Sequence, residues 1–428
     1  MARPMTMTEK ILAAHAGKQS VAPGDIISIE LDLVMANELS AAVAITEFRK
    51  IKGADKVWDR FKIALVPSHF TPNKDIATAT LSKMMRDFAT EHAIENYFEV
   101  GRGGIEHVVL PENGMVGPGE TIIGGDSHTT TYGGIGAFAT GVGSTDIAAA
   151  FATGEMWLRV PHSIKIVFEN SLRPYVSGKD LILRAIHELG VDGGTYAALE
   201  FTGPALAELP MSGRFTMANM SIEAGAKNGI FPVDATTESY CAAVGKKYYT
   251  VYRADRDAAY ASTVVIDCAT IEPQVAIPWL PDNTRNASDL RDVTVQQAVI
   301  GTCTNGRIED MRQAASVLKG RKVHPSVRAI VIPGSQKVYM DCVKEGLVET
   351  FIEAGCVVST PTCGPCVGGH MGVLADGERC ISTTNRNFRG RMGHVKSEVY
   401  LTGPYVAAAS AIAGYICGPE EIAAKVPA

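Results

Sequence analysis

Short apolar runs alternate with amphipathic stretches along nearly all of this 428-residue chain. That rhythm restricts it to folds in which helices cover parallel-rich sheets. Residues 63–66 (IALV) read as a buried strand, and residues 77–92 follow with helical spacing that gathers Leu81, Met84, Met85 and Phe88 on one side. Further strands are expected at 121–124, 164–168, 263–267, 327–332 and 356–359. Residues 180–189 read as a helix stopped by Gly190, and 336–354 as one amphipathic helix closed by Gly355. The N-terminal stretch reads as an opening helix with Thr8 as N-cap and Gly17 as stop. Softer breaks lie near Arg159-Val160-Pro161-His162 and over residues 277–286, IPWLPDNTRN. They divide the chain into three expected α/β domains, 1–161, 162–285 and 286–428.

Composition narrows the class further. With 46% hydrophobic residues there is ample core for several domains. No stretch reaches the roughly 18 to 20 apolar residues of a membrane span, and the N-terminal residues lack the pattern of a signal peptide. Nine scattered cysteines, an odd number in a chain of this size, fit a reducing cytoplasm and not a disulfide framework. The formal net charge of −6 and the lack of Lys/Arg runs argue against nucleic acid. A small anionic substrate remains compatible, because it is the local basic residues that would bind it.

The chemically capable residues follow the apolar runs, where open parallel sheets place their ligands. Cys363-Gly364-Pro365-Cys366 follows 356–362, and Cys303 stands alone upstream in GTCTNGR. Three thiolates at this spacing suit an iron–sulfur cluster with one iron lacking a protein ligand, which would act as a Lewis acid. A structural zinc site, a redox pair and inert cysteines are the other readings. Asp126-Ser127-His128 follows TIIGG and joins carboxylate, hydroxyl and imidazole, a set suited to proton transfer and equally to an Asx turn. His69, after Ser68, and His107 are isolated histidines. Asn219 and Glu223 lie in NMSIEAG, where an acid would by default cap a helix. Residues 385–391, NRNFRGR, bring Arg386, Arg389 and Arg391 into one polar loop able to grip carboxylates. Gly134-Ile135-Gly136-Ala137-Phe138-Ala139 fits a dinucleotide fingerprint but follows no clear strand. It keeps open a nicotinamide oxidoreductase, beside a zinc-stabilised binding protein without catalysis.

Taken together, GDSHT, NMSIEAG, GTCTNG, TCGPC and NRNFRGR occur in an order that resembles the aconitase superfamily, and the resemblance covers almost the entire chain. Within it the chain is most similar to the short bacterial and archaeal group that isomerises 2-isopropylmalate to 3-isopropylmalate in leucine biosynthesis. The resemblance implies a 4Fe-4S cluster held by Cys303, Cys363 and Cys366, with the fourth iron open to substrate. It implies acid–base and hydrogen-bonding roles for His69, His107, Asp126, His128 and Glu223. Substrate binding would fall to Ser127, Asn219, Arg386 and Arg391. Larger members carry a swivelling domain with a serine base. Nothing after residue 391 has that domain's length, so a separate small subunit is expected to supply it. Two departures stand out: Ser68 where the family has Asp, and Ser40-Ala41-Ala42 where Thr-Ser-Pro is usual. A serine can orient His69 but not stabilise its charge, so His69 is expected to be a weaker base. The departures also leave room for another 2-hydroxy diacid: homocitrate (through homoaconitate), citramalate (through citraconate) or 2,3-dimethylmalate.

Overall fold

The structure, a computed structural model, describes residues 3–423. Its first sheet is wholly parallel, with strands in the order Asn96–Tyr97, Ile63–Leu65, Leu33–Ala36, Thr121–Gly124, Phe138–Gly141. The second, also parallel, runs Asn228–Ile230, Ala197–Thr202, His162–Glu169, Ser262–Asp267. The third has seven strands, with five parallel ones between Glu398–Thr402 and Val357–Val358. Its other edge is antiparallel, made by Gln274–Ala276 and Thr284–Asn286. Those last two strands lie in the segment 162–285, apart from Asn286 just beyond its end, but pair with the sheet that follows it. On this pairing we propose that the third domain starts before Gln274. Outside these sheets, Ile26–Glu30 and Glu155–Arg159 form an antiparallel ribbon.

Buried aliphatic and aromatic side chains fill both faces of the sheets, as parallel strands require. In the Ile76–Glu91 helix, Met85 and Phe88 are fully buried, whereas Leu81 and Met84 are half-buried. The opening helix is Met7–His15, and its N-cap is Thr6, not Thr8. The Thr6 hydroxyl accepts from the Glu9 N–H while the Glu9 carboxylate accepts from the Thr6 N–H, a reciprocal pair spelled by T-x-x-E. The expected single helix over 336–354 is two, Gln336–Lys344 and Leu347–Ala354. Gly346 separates them at φ +71, a left-handed conformation that stops the helix. No described helix is long and apolar enough to cross a membrane.

The glycines of the dinucleotide-like stretch do not open a helix. Ser127–Ile135 is a 3-10 helix, and Gly136 turns it into the strand Phe138–Gly141. Those glycines serve packing: a Cβ on Gly133 would lie 1.8 Å from the Gly229 carbonyl oxygen. The phosphate-binding reading of this stretch therefore falls, because it needs exposed N–H groups at the start of an α-helix.

Candidate active site

Most candidate residues lie beyond the carboxyl ends of strands of the first and third sheets, and Asn219 and Glu223 join them from the helix Met211–Met220 and the 3-10 turn Ser221–Ala224 of the second-sheet segment. Cys303 follows the strand Gln297–Gly301 through a tight corner. Thr302 adopts φ +68 there, unusual for a β-branched residue and a mark of constraint. Cys363 and Cys366 flank the start of the 3-10 turn Gly364–Val367 beyond Val357–Val358. All three thiols are buried. Asn385 joins two of them: its Nδ2 donates to Cys303 Sγ at 3.4 Å, and Cys366 Sγ donates to its Oδ1 at 3.3 Å. Asn219 Nδ2 donates to Cys303 Sγ at 3.5 Å, and Arg391 Nη2 donates to Cys366 Sγ at 3.6 Å. A hydrogen bond shared by Cys303 and Cys363 drives their pKa values apart, Cys303 well below the ordinary thiol value and Cys363 well above it.

Beside the thiols lies a closed histidine–carboxylate network. Asp126 caps the Ser127–Ile135 turn by accepting the His128 N–H at 2.8 Å, and the same oxygen lies 2.9 Å from His107 Nε2. His107 Nδ1 is 3.1 Å from the Tyr132 hydroxyl. His128 Nε2 is 2.8 Å from Glu223 Oε1, which also accepts from Arg386 Nε at 2.8 Å. Burial raises the Asp126 pKa, but the hydrogen bonds from His107 and His128 overcome it and hold the carboxyl well below its usual range. Burial alone would keep His107 neutral, yet Asp126 and Glu106 lift its pKa. His128 rises too, because Asp126 and Glu223 outweigh burial and the repulsion of Arg386. Ser127 Oγ is 3.4 Å from His128 Nδ1, and Ser127 also lines a cavity of about 410 Å³ with Ile222 and Lys227. Glu223 is thus an ion-pair partner within a short 3-10 turn, not a helix cap.

The loop holding Ser68 and His69 carries a charged support that the sequence reading lacked. Asn37 caps the helix Glu38–Phe48, and the Glu38 carboxylate accepts the N–H groups of Ser68, His69 and Phe70 at 2.7–2.8 Å. Ser68 Oγ sits 2.9 Å from His69 Nδ1. On the same side Glu106 Oε1 lies 3.9 Å from Nδ1, while Asp126 Oδ2 lies 3.6 Å from Nε2. Burial opposes charge on His69, but Glu106, Glu38 and Asp126 together raise its pKa. The His69 pKa is therefore raised although no aspartate precedes it, because carboxylates distant in sequence supply negative charge.

The structure brings all twelve candidate residues to one region. Sequence reasoning overlooked Glu38, Glu106, Tyr132, Arg307 and His370. Arg307 donates to the carbonyls of Cys303 (3.1 Å) and His107 (2.9 Å), tying the thiol corner to the imidazole network. His370 Nε2 lies 3.1 Å from the His69 carbonyl oxygen. Glu106 was readable as an acid directly before His107; the others carry no local signal.

Buried convergent thiols beside a histidine–carboxylate network, near the ends of parallel strands, give an α/β protein whose thiols could hold a metal and whose imidazoles could move protons. The chain belongs to the aconitase family: the family's sequence model, described as aconitase family (aconitate hydratase), matches residues 9–290 and 282–414. It is 59% identical to the 3-isopropylmalate dehydratase large subunit of Moorella thermoacetica, over 98% of this chain and 99% of that one. The protein of the same name from Clostridium kluyveri is 58% identical over the same shares. That from Caldicellulosiruptor saccharolyticus is 56% identical over 99% of each. Among solved structures, aconitase X of Thermococcus kodakaraensis in its holo-form is a remote likeness, 11% identical with a TM-score of 0.49 over 88% of each chain.

Proposed function

We propose that this chain is the cluster-binding large subunit of a hydro-lyase that isomerises 2-isopropylmalate to 3-isopropylmalate in leucine biosynthesis, working with a small subunit in the cytoplasm. The observation that carries the reading is the convergence of Cys303, Cys363 and Cys366 within a shell of N–H···S donors from Asn219, Asn385 and Arg391. That donor set fits a 4Fe-4S cluster. Three sulfurs supply its ligands, and N–H groups directed at sulfur stabilise its negative charge. Zinc would have to take its fourth ligand from His69 or Glu106, the groups nearest Cys363, and would draw them away from the pairing of Ser68 with His69 and of Asn37 with Glu106.

When bound, the cluster supplies a Lewis acid for the substrate hydroxyl, a poor leaving group unaided. The chain's own residues manage the protons and the charge. Asp126, kept ionised, holds a proton on His107 Nε2 and fixes that ring's tautomer. His128 shares its Nε2 proton with Glu223, whose charge Arg386 balances. His69 Nε2 is held only loosely, 3.6 Å from Asp126, and we assign it the proton delivered to the leaving hydroxyl. Carboxylate binding falls to Ser127, Arg386 and Arg391, with Asn219 fixing the thiol side.

Anaerobically purified protein should hold about four irons and four sulfides per chain and, with its small subunit, interconvert the two isopropylmalates. Serine in place of Cys303, Cys363 or Cys366 should remove the iron, while serine at Cys241 or Cys268 should not. A zinc-loaded, colourless protein, or a cluster-loaded complex inert on both isopropylmalates, overturns the reading.

A further inference from the structure

Lys179 has no place in the chemistry above, yet it is fully buried. It stands in the first turn of the helix Gly178–Leu189, where the helix dipole disfavours a cation. Its Nζ donates to the carbonyls of Thr383 (2.9 Å) and Thr384 (2.6 Å). No carboxylate is paired with it: the neighbouring Asp180 is taken by the Ser177 N–H, the Ser177 hydroxyl and the Gln274 N–H. A buried ammonium without a counter-charge is costly and tends to shed its proton. Burial indeed pushes its pKa down to about 7, while the negative charge of Cys303 and Cys366, and after them Asp180 and Asp310, pulls it back up. A neutral amine has two N–H bonds and would satisfy both carbonyls. A third proton is favoured only by negative charge nearby.

Such charge lies one residue beyond the carbonyls that Lys179 holds. Thr384 leads into Asn385, which bridges Cys303 and Cys366. Thr383 Oγ1 also accepts the Gly301 N–H at 2.8 Å and donates to the Gly301 carbonyl at 3.1 Å, at the corner that carries Cys303. Lys179 thus grips the turn that locates both sulfurs.

We propose that Lys179 is the buried counter-cation of the cluster site, a positioning residue that holds the corner 383–385 against Cys303 and Cys366 and sets the cluster's reduction potential. The inference rests on the cluster reading above. A thiolate-held cluster is negatively charged, and reduction adds another negative charge, so a nearby cation favours the reduced state. Removing that cation should make reduction harder.

The test uses the anaerobic holo-complex with its small subunit and an EPR-monitored redox titration. Lys179→Met, and Lys179→Gln, which keeps N–H donors but no charge, should both shift the midpoint potential to more negative values at unchanged iron content. Lys179→Arg should stay near the wild type. In the wild-type holo-complex labelled with 15N-lysine, Lys179 Nζ should resonate as an ammonium at pH 8; this measurement needs no variant to fold. A folded, iron-replete neutral variant with the wild-type potential overturns the proposal, as does an arginine variant shifted as far as the methionine one, or an amine resonance in the wild type. A wild-type chain without iron and sulfide would instead remove the functional reading, and this inference with it.

Discussion

At the scale of single residues, the arrangement around His69 shows how a charge can be supplied from elsewhere in the chain. Ser68 occupies the place of an aspartate, and its hydroxyl can only orient the ring. The charge comes from Glu106, completely buried at the start of the helix Glu106–Glu112, with one carboxylate oxygen lacking any hydrogen-bond partner. An unsatisfied buried carboxylate oxygen is expensive, and it is Oε2 that lacks a partner, while Oε1 accepts from Asn37 Nδ2 at 3.2 Å and lies 3.9 Å from His69 Nδ1. Glu106→Gln keeps the shape and removes the charge. It should lower kcat by about tenfold or more, less than the roughly hundredfold or greater loss expected on removing an acid–base group itself, at unchanged iron content. Ser68→Asp in that background should recover part of the loss by restoring a carboxylate beside Nδ1. Steady-state kinetics on the four proteins of the cycle check this. Additive losses without recovery would show that Glu106 acts on something other than His69.

At the scale of elements, the alternation of apolar and amphipathic segments made the strands legible, because a parallel strand covered on both faces must be continuously apolar. Placing the chemical residues just beyond those strands was legible for the same reason. What the pattern could not carry was any contact across elements. Glu38, which the sequence reading passed over, anchors the His69 loop from a neighbouring strand–helix unit. Lys179 carried no signal in the sequence, and its burial shows only through its bonds to the carbonyls beyond a third-sheet strand. Helix ends were misread where a short-range signal was passed over, as with Thr6 and Glu9, or where a glycine within an amphipathic stretch was a stop, as at Gly346. Glycine also decides how the Ser127–Ile135 turn docks. Gly133→Ala would drive a methyl group into the Gly229 backbone. Overpacking of this kind costs about 1–3 kcal/mol, and more where backbone must move. Chemical denaturation should show a loss of about 3 kcal/mol, and a neutral result would mean that the two segments separate without penalty.

For the molecule as a whole, the question is which group removes the proton from the substrate carbon. Dehydration needs a base there as well as an acid at the hydroxyl. Among the described residues the strong candidates are already engaged. Asp126 is shared by His107 and His128, Glu223 is paired with His128 and Arg386, and their pKa values are held low by those partners. A carboxylate kept well below its usual range is a poor base at neutral pH. The network orients imidazoles and balances charge, and among the described residues the one carboxylate oxygen beside the thiols without a hydrogen-bond partner belongs to Glu106, whose charge is directed at His69 and His107. The relatives whose length this chain spans are named large subunits, which agrees with a base delivered by a second polypeptide. The cluster-loaded chain alone should therefore bind substrate but turn it over at least a hundredfold more slowly than the complex, a factor typical of losing one acid–base group. Spectral perturbation of the cluster by 2-isopropylmalate would report the binding, and adding the purified small subunit should restore turnover without changing iron content. Full activity from the chain alone would place the base within these 428 residues, and His69, the least constrained imidazole of the network, would then be the first residue to replace.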